Sequence, residues 1–202
     1  MVRKAANMFS LERSRMTPSL DFSRRIADWL VLFAIVVAGC ESRPKAPALR
    51  DAPVFHNKQE GLRLLVPEGW KQTAGGTLPP GKLEGNVLLA RFRLPSSESG
   101  ASLDILCFDD EKKTDLQEIH AGRSHGVERW QAVQPPESVE INQVAAQRFI
   151  LSGTIGKQAM IKEVVSFRRK QRVYSFVGLF AESDNVAREE MRRATSTIVW
   201  EH

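Results

Sequence analysis

From Gly61 onward, apolar residues recur mainly at every second position, the spacing of strands with one buried face, with two stretches spaced three to four residues apart as on a helix. Gly61–Val66 reads as a first strand, closed by the turn Pro67-Glu68-Gly69-Trp70. A loop of breakers follows (Gly75, Gly76, Pro79, Pro80, Gly81). Strands are then expected over Asn86–Leu94 and Ala101–Phe108, separated by Pro95 and a Ser-rich stretch to Gly100. Thr114 or Asp115 can cap a helix over 115–130, with Leu116, Ile119, Val127 and Trp130 near the helical period and Gly122 and Gly126 as weak points. Past Pro135-Pro136, strands are expected over Ser138–Ile141, Ala145–Ile155, Gln158–Arg168 and Arg172–Phe180, the last two joined as a hairpin around Arg169-Lys170-Gln171. Asp184 can cap a final amphipathic helix to Ala194, and Ile198-Val199-Trp200 packs or pairs at the end. Successive strands with no helix between them are antiparallel in the simplest topology, so the expected class is α+β, an antiparallel sheet flanked by helices.

The N-terminal pattern is of another kind. Trp29–Gly39 (WLVLFAIVVAG) is an unbroken apolar run of eleven residues after Arg24 and Arg25. As a helix it would measure about 16 Å, half of a hydrocarbon core, which suits the apolar region of a signal peptide rather than a membrane span. The run ends in Val37-Ala38-Gly39-Cys40, which resembles a bacterial lipobox. That resemblance implies signal-peptidase recognition at Val37, Ala38 and Gly39, lipidation of Cys40, and a mature chain anchored in a bacterial envelope membrane, facing the periplasm or the exterior. Two or three acyl chains hold a protein stably where one holds it marginally. An uncut signal anchor and a plain secretory peptide are the alternatives. The basic segment ahead of the run is long, and Met16 would give a more usual start; Ser23-Arg24-Arg25 is similar to a twin-arginine signal, from which Asp28 and Trp29 depart. The expected organisation is a signal peptide over 1–39, lipidated Cys40 with a Pro- and Ala-rich tether over 40–54, and a globular domain over 55–202. Extended, the tether reaches at most about 50 Å.

The order of several strands, a helix, three strands and a helix, together with Leu62-Arg63-Leu64-Leu65-Val66-Pro67-Glu68-Gly69-Trp70 near the start and Val173-Tyr174-Ser175-Phe176 before the closing helix, resembles the PsbP-like domain over residues 55–200. The resemblance implies a central antiparallel sheet flanked by helices. The family includes photosystem II extrinsic subunits, a regulator of nuclear-transport GTPases and bacterial lipoproteins, so it implies a fold and no particular chemistry.

Charge narrows the partners. The net charge is +5, but residues 1–39 hold six basic and three acidic groups of the 29 and 24, leaving 23 and 21, or +2, for the rest. A nucleic-acid partner is therefore not expected. With Cys40 lipidated, Cys107 has no thiol to pair with, and its place on one strand face with Leu103 and Ile105 predicts a small apolar filler. His120, His125 and Glu128 are the one local group of metal-ligand types. Five residues on a helix turn the two imidazoles about 140° apart, so they are expected to face solvent, and neither a metal nor a cofactor is implied. Ser124-His125 lacks an evident orienting acid, and no G-x-S-x-G occurs. Asp109, Asp110 and Glu111 read as a solvated turn, and Trp70, Trp130 and Trp200 as core. Arg168, Arg169, Lys170 and Arg172 at the hairpin form a candidate patch for anionic lipid or for a protein partner. The expectation is a lipid-anchored envelope protein acting as a non-enzymatic binding module for an envelope protein or component. The alternatives are an envelope enzyme or small-solute binder using loop 75–81 as a lid over a pocket, and a structural spacer.

Overall fold

The computed structural model describes residues 53–95, 100–110 and 114–201; the expected signal peptide, the expected lipobox with Cys40, and most of the expected tether lie outside them. The described residues fall in one compact unit, Arg50–His202. In chain order the elements are β1 (Val54–Asn57), β2 (Leu62–Leu65), β3 (Lys71–Gly75), β4 (Val87–Arg93), β5 (Ser102–Asp109), α1 (Leu116–Ala121), β6 (Gln131–Ala132), β7 (Glu137–Ile141), β8 (Val144–Ile155), β9 (Gln158–Arg169), β10 (Arg172–Ala181), α2 (Asn185–Ser196) and β11 (Val199–Trp200). Eight of these strands make one antiparallel sheet in the order β3-β4-β5-β10-β9-β8-β6, with β7 also paired to β8. A second sheet is ordered β1-β2-β11. The result is richer in sheet than the expected class implied, with two helices, but of the same kind.

The period-two pattern sorts the large sheet's side chains onto two faces. Leu103, Ile105 and Cys107 of β5, Val165 and Phe167 of β9, and Phe176 and Phe180 of β10 share a cluster with Ala187, Met191 and Ala194 of α2 and with Leu62, Leu64 and Trp200 of the small sheet. The intervening residues face the other way: Phe108, Val164, Val173 and Val177 pack on Leu116 of α1, while Leu151, Met160 and Leu179 pack on Val127 and Trp130. Cys107 is fully buried and belongs to the cluster on the α2 side, with Tyr174 also hydrogen-bonded to its thiol.

Several expectations need correction. The helix expected over 115–130 stops at Ala121, because Gly122 turns extended and its N–H closes on Glu118 O and Ile119 O. Val127 and Trp130 still reach the core, but through a tight turn in which Ser124 and Val127 bond each other's backbones, with His125 and Gly126 at positive φ. The end of the expected tether is ordered: Val54 starts β1 and pairs with Leu65, and Val66 N donates to Pro53 O at 2.8 Å. β3 lies where loop was expected, since an edge strand with four of five residues exposed carries no apolar alternation. The anticipated elements otherwise hold, including the Asp184 cap on Ala187 N at 3.0 Å and the hairpin between β9 and β10. Among the described residues no helix is long and apolar enough to cross a membrane.

Candidate functional site

The hairpin tip, the segment after β1 and the end of the breaker loop meet at one end of the large sheet, enclosing a cleft of about 1170 Å³. Its walls include Lys58, Gln59 and Glu60, Gly81 and Lys82, and Arg169, Lys170, Arg172 and Tyr174. Local backbone fixes the walls. Gly61 has φ +63, and a Cβ there would sit 2.8 Å from Glu201 O, so only glycine lets the 58–61 segment lie against the C-terminal strand. Opposite, the Gln59 amide donates to Leu78 O at 3.0 Å and accepts from Leu78 N at 3.1 Å, replacing a strand partner with a side chain. Leu78 is itself buried, so the 75–81 loop is pinned at its middle.

Inside the cleft the charges are arranged in series. Arg172 Nη1 donates to Glu60 Oε1 at 3.0 Å and its Nε to Asp109 Oδ1 at 3.2 Å, while Tyr174 Oη donates to the other Glu60 oxygen. Asp109 also accepts from Leu83 N at 2.7 Å. Burial and the Glu60 carboxylate push the Tyr174 phenol above its ordinary range. Burial likewise pushes the Cys107 thiol up to about 12, leaving it unreactive. Glu201 is taken by Arg63 at 2.9 Å and His56 at 3.1 Å.

The four basic residues of the hairpin are thus not one patch. Arg168 reaches outward to Asp110 and to Thr114 O. Arg172 is spent on Glu60 and Asp109. Arg169 sits over the Trp200 ring, its Cζ 4.9 Å from the centroid, and Lys170 occupies the tip at φ +57. Asp109 and Asp110, expected as a solvated turn, are instead the counter-charges of the hairpin; Glu111 lies outside the described residues. The sequence contained a sign of this, since acidic and basic clusters end two strands whose alternation marks both as central. Glu60 and Lys58 had no such sign, because they come from a turn whose position only the fold sets.

A second polar group is buried beneath α1. His120, expected in solvent, is 5% exposed and bonds Ser166 Oγ at 2.9 Å, which bonds Ser175 Oγ at 2.8 Å. Lys162 Nζ donates to His120 O at 2.7 Å and to Ser124 Oγ at 2.9 Å, and sits over the Trp130 ring at 5.4 Å. Burial pulls the Lys162 amine down to about 8, and burial with the Lys162 charge pulls His120 down to about 3. Asp104 comes within 3.8 Å of His125 Nε2, an approach the sequence gave no sign of, but it is held by a two-bond Arg91 fork at 2.7 and 2.6 Å. Burial would raise the Asp104 carboxyl, yet Arg91 and His125 hold it below the usual range. Ser124 Oγ accepts from Lys162 and from Trp130 Nε1, so it serves as a cap for two buried donors rather than as one end of a serine–histidine pair. Among the described residues no group of three or more His, Cys, Asp or Glu is placed to hold a metal ion.

No protein-family model matches the chain, and no curated protein matches it. Among solved structures, the solution structure of cyanobacterial PsbP (CyanoP) from Synechocystis sp. PCC 6803 is similar over 74% of this chain and 92% of that one, with a TM-score of 0.54 and 12% identity. A crystal structure of a protein from Bacteroides thetaiotaomicron VPI-5482 is similar over 75% of this chain, with a TM-score of 0.50 and 12% identity. This chain spans 49% of the length of that protein. Likeness at such identities is a likeness of fold: the described domain has a PsbP-like fold.

Proposed function

We propose that this protein is a lipid-anchored envelope protein whose PsbP-like domain is a binding module and takes its partner or ligand at the hairpin cleft. The cleft carries this reading. Its deep charges are matched in a fixed series, Asp109 to Arg172 to Glu60 to Tyr174, as suits a preformed recognition surface. The anchor rests on Val37-Ala38-Gly39-Cys40 at the end of the apolar run. The alternative, a pocket covered by loop 75–81, gains support from Gly81 in the cleft wall and loses it from the clamp on Leu78, since a lid must move.

Two measurements test the two halves of the proposal. In a bacterial host, the native chain is expected in the detergent phase, starting at Cys40 with added acyl mass, and Cys40→Ala in the aqueous phase or uncut; an unmodified native chain overturns the anchor. A photo-crosslinking residue at Gln171 is expected to capture a discrete envelope partner or component in cells, and one at Lys157, in the β8–β9 turn, to capture none. Equal yields at both positions overturn the cleft as the binding site.

A further inference from the structure

The carboxylates that line the cleft are each matched: Glu60 by Arg172 and Tyr174, Asp109 by Arg172 and Leu83 N, Glu201 by Arg63 and His56. Three of the cations are not. Among the described residues, Lys58, Arg169 and Lys170 have no ion-pair or side-chain hydrogen-bond partner, and all three line the same cavity. Positive charge therefore exceeds negative at this opening, although the domain as a whole is nearly balanced.

Arg169 is more than a loose surface charge. Its guanidinium lies on Trp200, which is 7% exposed and is braced edge-on by Tyr174 at 4.7 Å and Phe167 at 5.9 Å. The cation–π contact holds the guanidinium over the ring, and its N–H groups, which no side chain or carboxylate takes among the described residues, stay available to meet two oxygens of one anion. Ordering a free arginine side chain costs rotamer entropy, and here the contact with Trp200 has already met part of that cost. Lys170 stands beside it in the left-handed region at φ +57, where glycine or asparagine is the relaxed choice. A lysine kept at that tip spends backbone strain to place an ammonium there.

We propose that the cleft mouth binds a phosphate group, with the Arg169 fork on two of its oxygens and Lys170 and Lys58 on either side. Three cations suit a phosphate better than a carboxylate, because a phosphate ester presents more oxygens and, as a monoester, about two charges. The inference rests on the cleft being the binding site and names the chemistry that it recognises. Two sources carry that chemistry, a phospholipid headgroup and a soluble phosphate compound.

The test is calorimetric titration of the purified full chain with three probes: inorganic phosphate, dihexanoyl phosphatidylglycerol below its micelle concentration, and uncharged octyl glucoside as the control for the acyl chains. Inorganic phosphate is expected to bind if the source is soluble, and the phosphatidylglycerol probe alone if a headgroup is required; octyl glucoside is expected to be silent. Arg169→Gln should weaken the binding about tenfold and Lys170→Gln or Lys58→Gln about threefold each, while Arg168→Gln, whose native partner is Asp110 on the outside, should leave it unchanged. Circular dichroism of each variant confirms that it is folded. If neither phosphate probe binds, or if Arg168→Gln weakens binding as much as Arg169→Gln, the phosphate proposal is overturned. Capture from Gln171 in cells separates the two readings: with capture but no phosphate binding, the cleft stands and the ligand chemistry falls; with neither, both fall.

Discussion

Lys162 and Glu163 are neighbours on β9, point to opposite faces of the large sheet, and are 4% and 0% exposed. Glu163 is surrounded by guanidinium groups: Arg192 at 2.7 Å and Arg188 at 2.9 Å from α2, and Arg148 at 3.6 Å from β8. Lys162 has a carbonyl, a hydroxyl and an indole face, and no carboxylate within ion-pair range among the described residues. The difference is in how a buried charge is tolerated. At Glu163, opposite charges fix α2 to the sheet; at Lys162 the burden falls on titration, and both Lys162 and its neighbour His120 are pulled toward their neutral forms.

That contrast can be broken at several points. The largest effect is expected from Glu163→Ala, which leaves the α2 arginines facing an apolar sheet; unfolding by urea should show a loss of about 3–5 kcal/mol. A loss under about 1 kcal/mol would mean that the guanidiniums turn to water and that α2 is held by packing alone. Next comes acid. His120 is about 3 in the fold and about 6.5 when unfolded, so the unfolded chain binds the extra proton and stability falls as pH drops below 6.5 toward 3. Between pH 6 and 4 the loss should be about 2–3 kcal/mol, and His120→Asn should flatten the slope. If that variant keeps the wild-type slope, the acid sensitivity lies elsewhere.

The caps differ too. A Cβ on Gly153 would meet the Trp130 ring at 2.9 Å, whereas on Gly178 it would meet Met191 Cγ at 2.9 Å. A ring wedged over Lys162 cannot yield as a thioether can, so thermal melts should show Gly153→Ala costing about 2 kcal/mol and Gly178→Ala about 1. Equal costs would erase the distinction. The smallest change is expected for Lys162→Met. It should leave stability at pH 7 within about 1 kcal/mol of wild type or raise it, since an unpaired buried ammonium is replaced by a thioether of similar length. It should also abolish the gain in stability that wild type shows as pH rises from about 8 toward 10.5, where only the unfolded chain keeps the lysine proton. A large loss instead would make Lys162 a structural tie equal to Glu163.

What the sequence could and could not reveal follows the same division. Alternation placed β5, β8, β9 and β10 well, because burial on one face writes itself at period two, and the turn Pro67–Trp70 was legible because Gly69 needs its φ of +77. It could not mark β3, whose exposed residues carry no face, nor separate the stripe of a helix from a helix followed by a tight turn, which cost the reading of 122–130 its accuracy. Of the cleft, the hairpin cations were visible. Their division into spent and unspent charges was not, because it depends on Glu60, Asp109 and Trp200 arriving from places far apart in the chain.

In the small sheet β2 has the first strand of the domain on one side and the last on the other, and Glu201 N donates to Gly61 O at 2.6 Å where they meet. One edge of β2 is therefore completed only when the final residues are in place. Pairing of β11 with β2 joins residues about 140 positions apart, Val199 with Arg63 and Trp200 with Leu62, a contact of long loop closure that forms late in folding. Trimming residues 199–202 should accordingly leave β2 with one bare edge and make Leu62 and Leu64 more accessible to proteases than in the full chain.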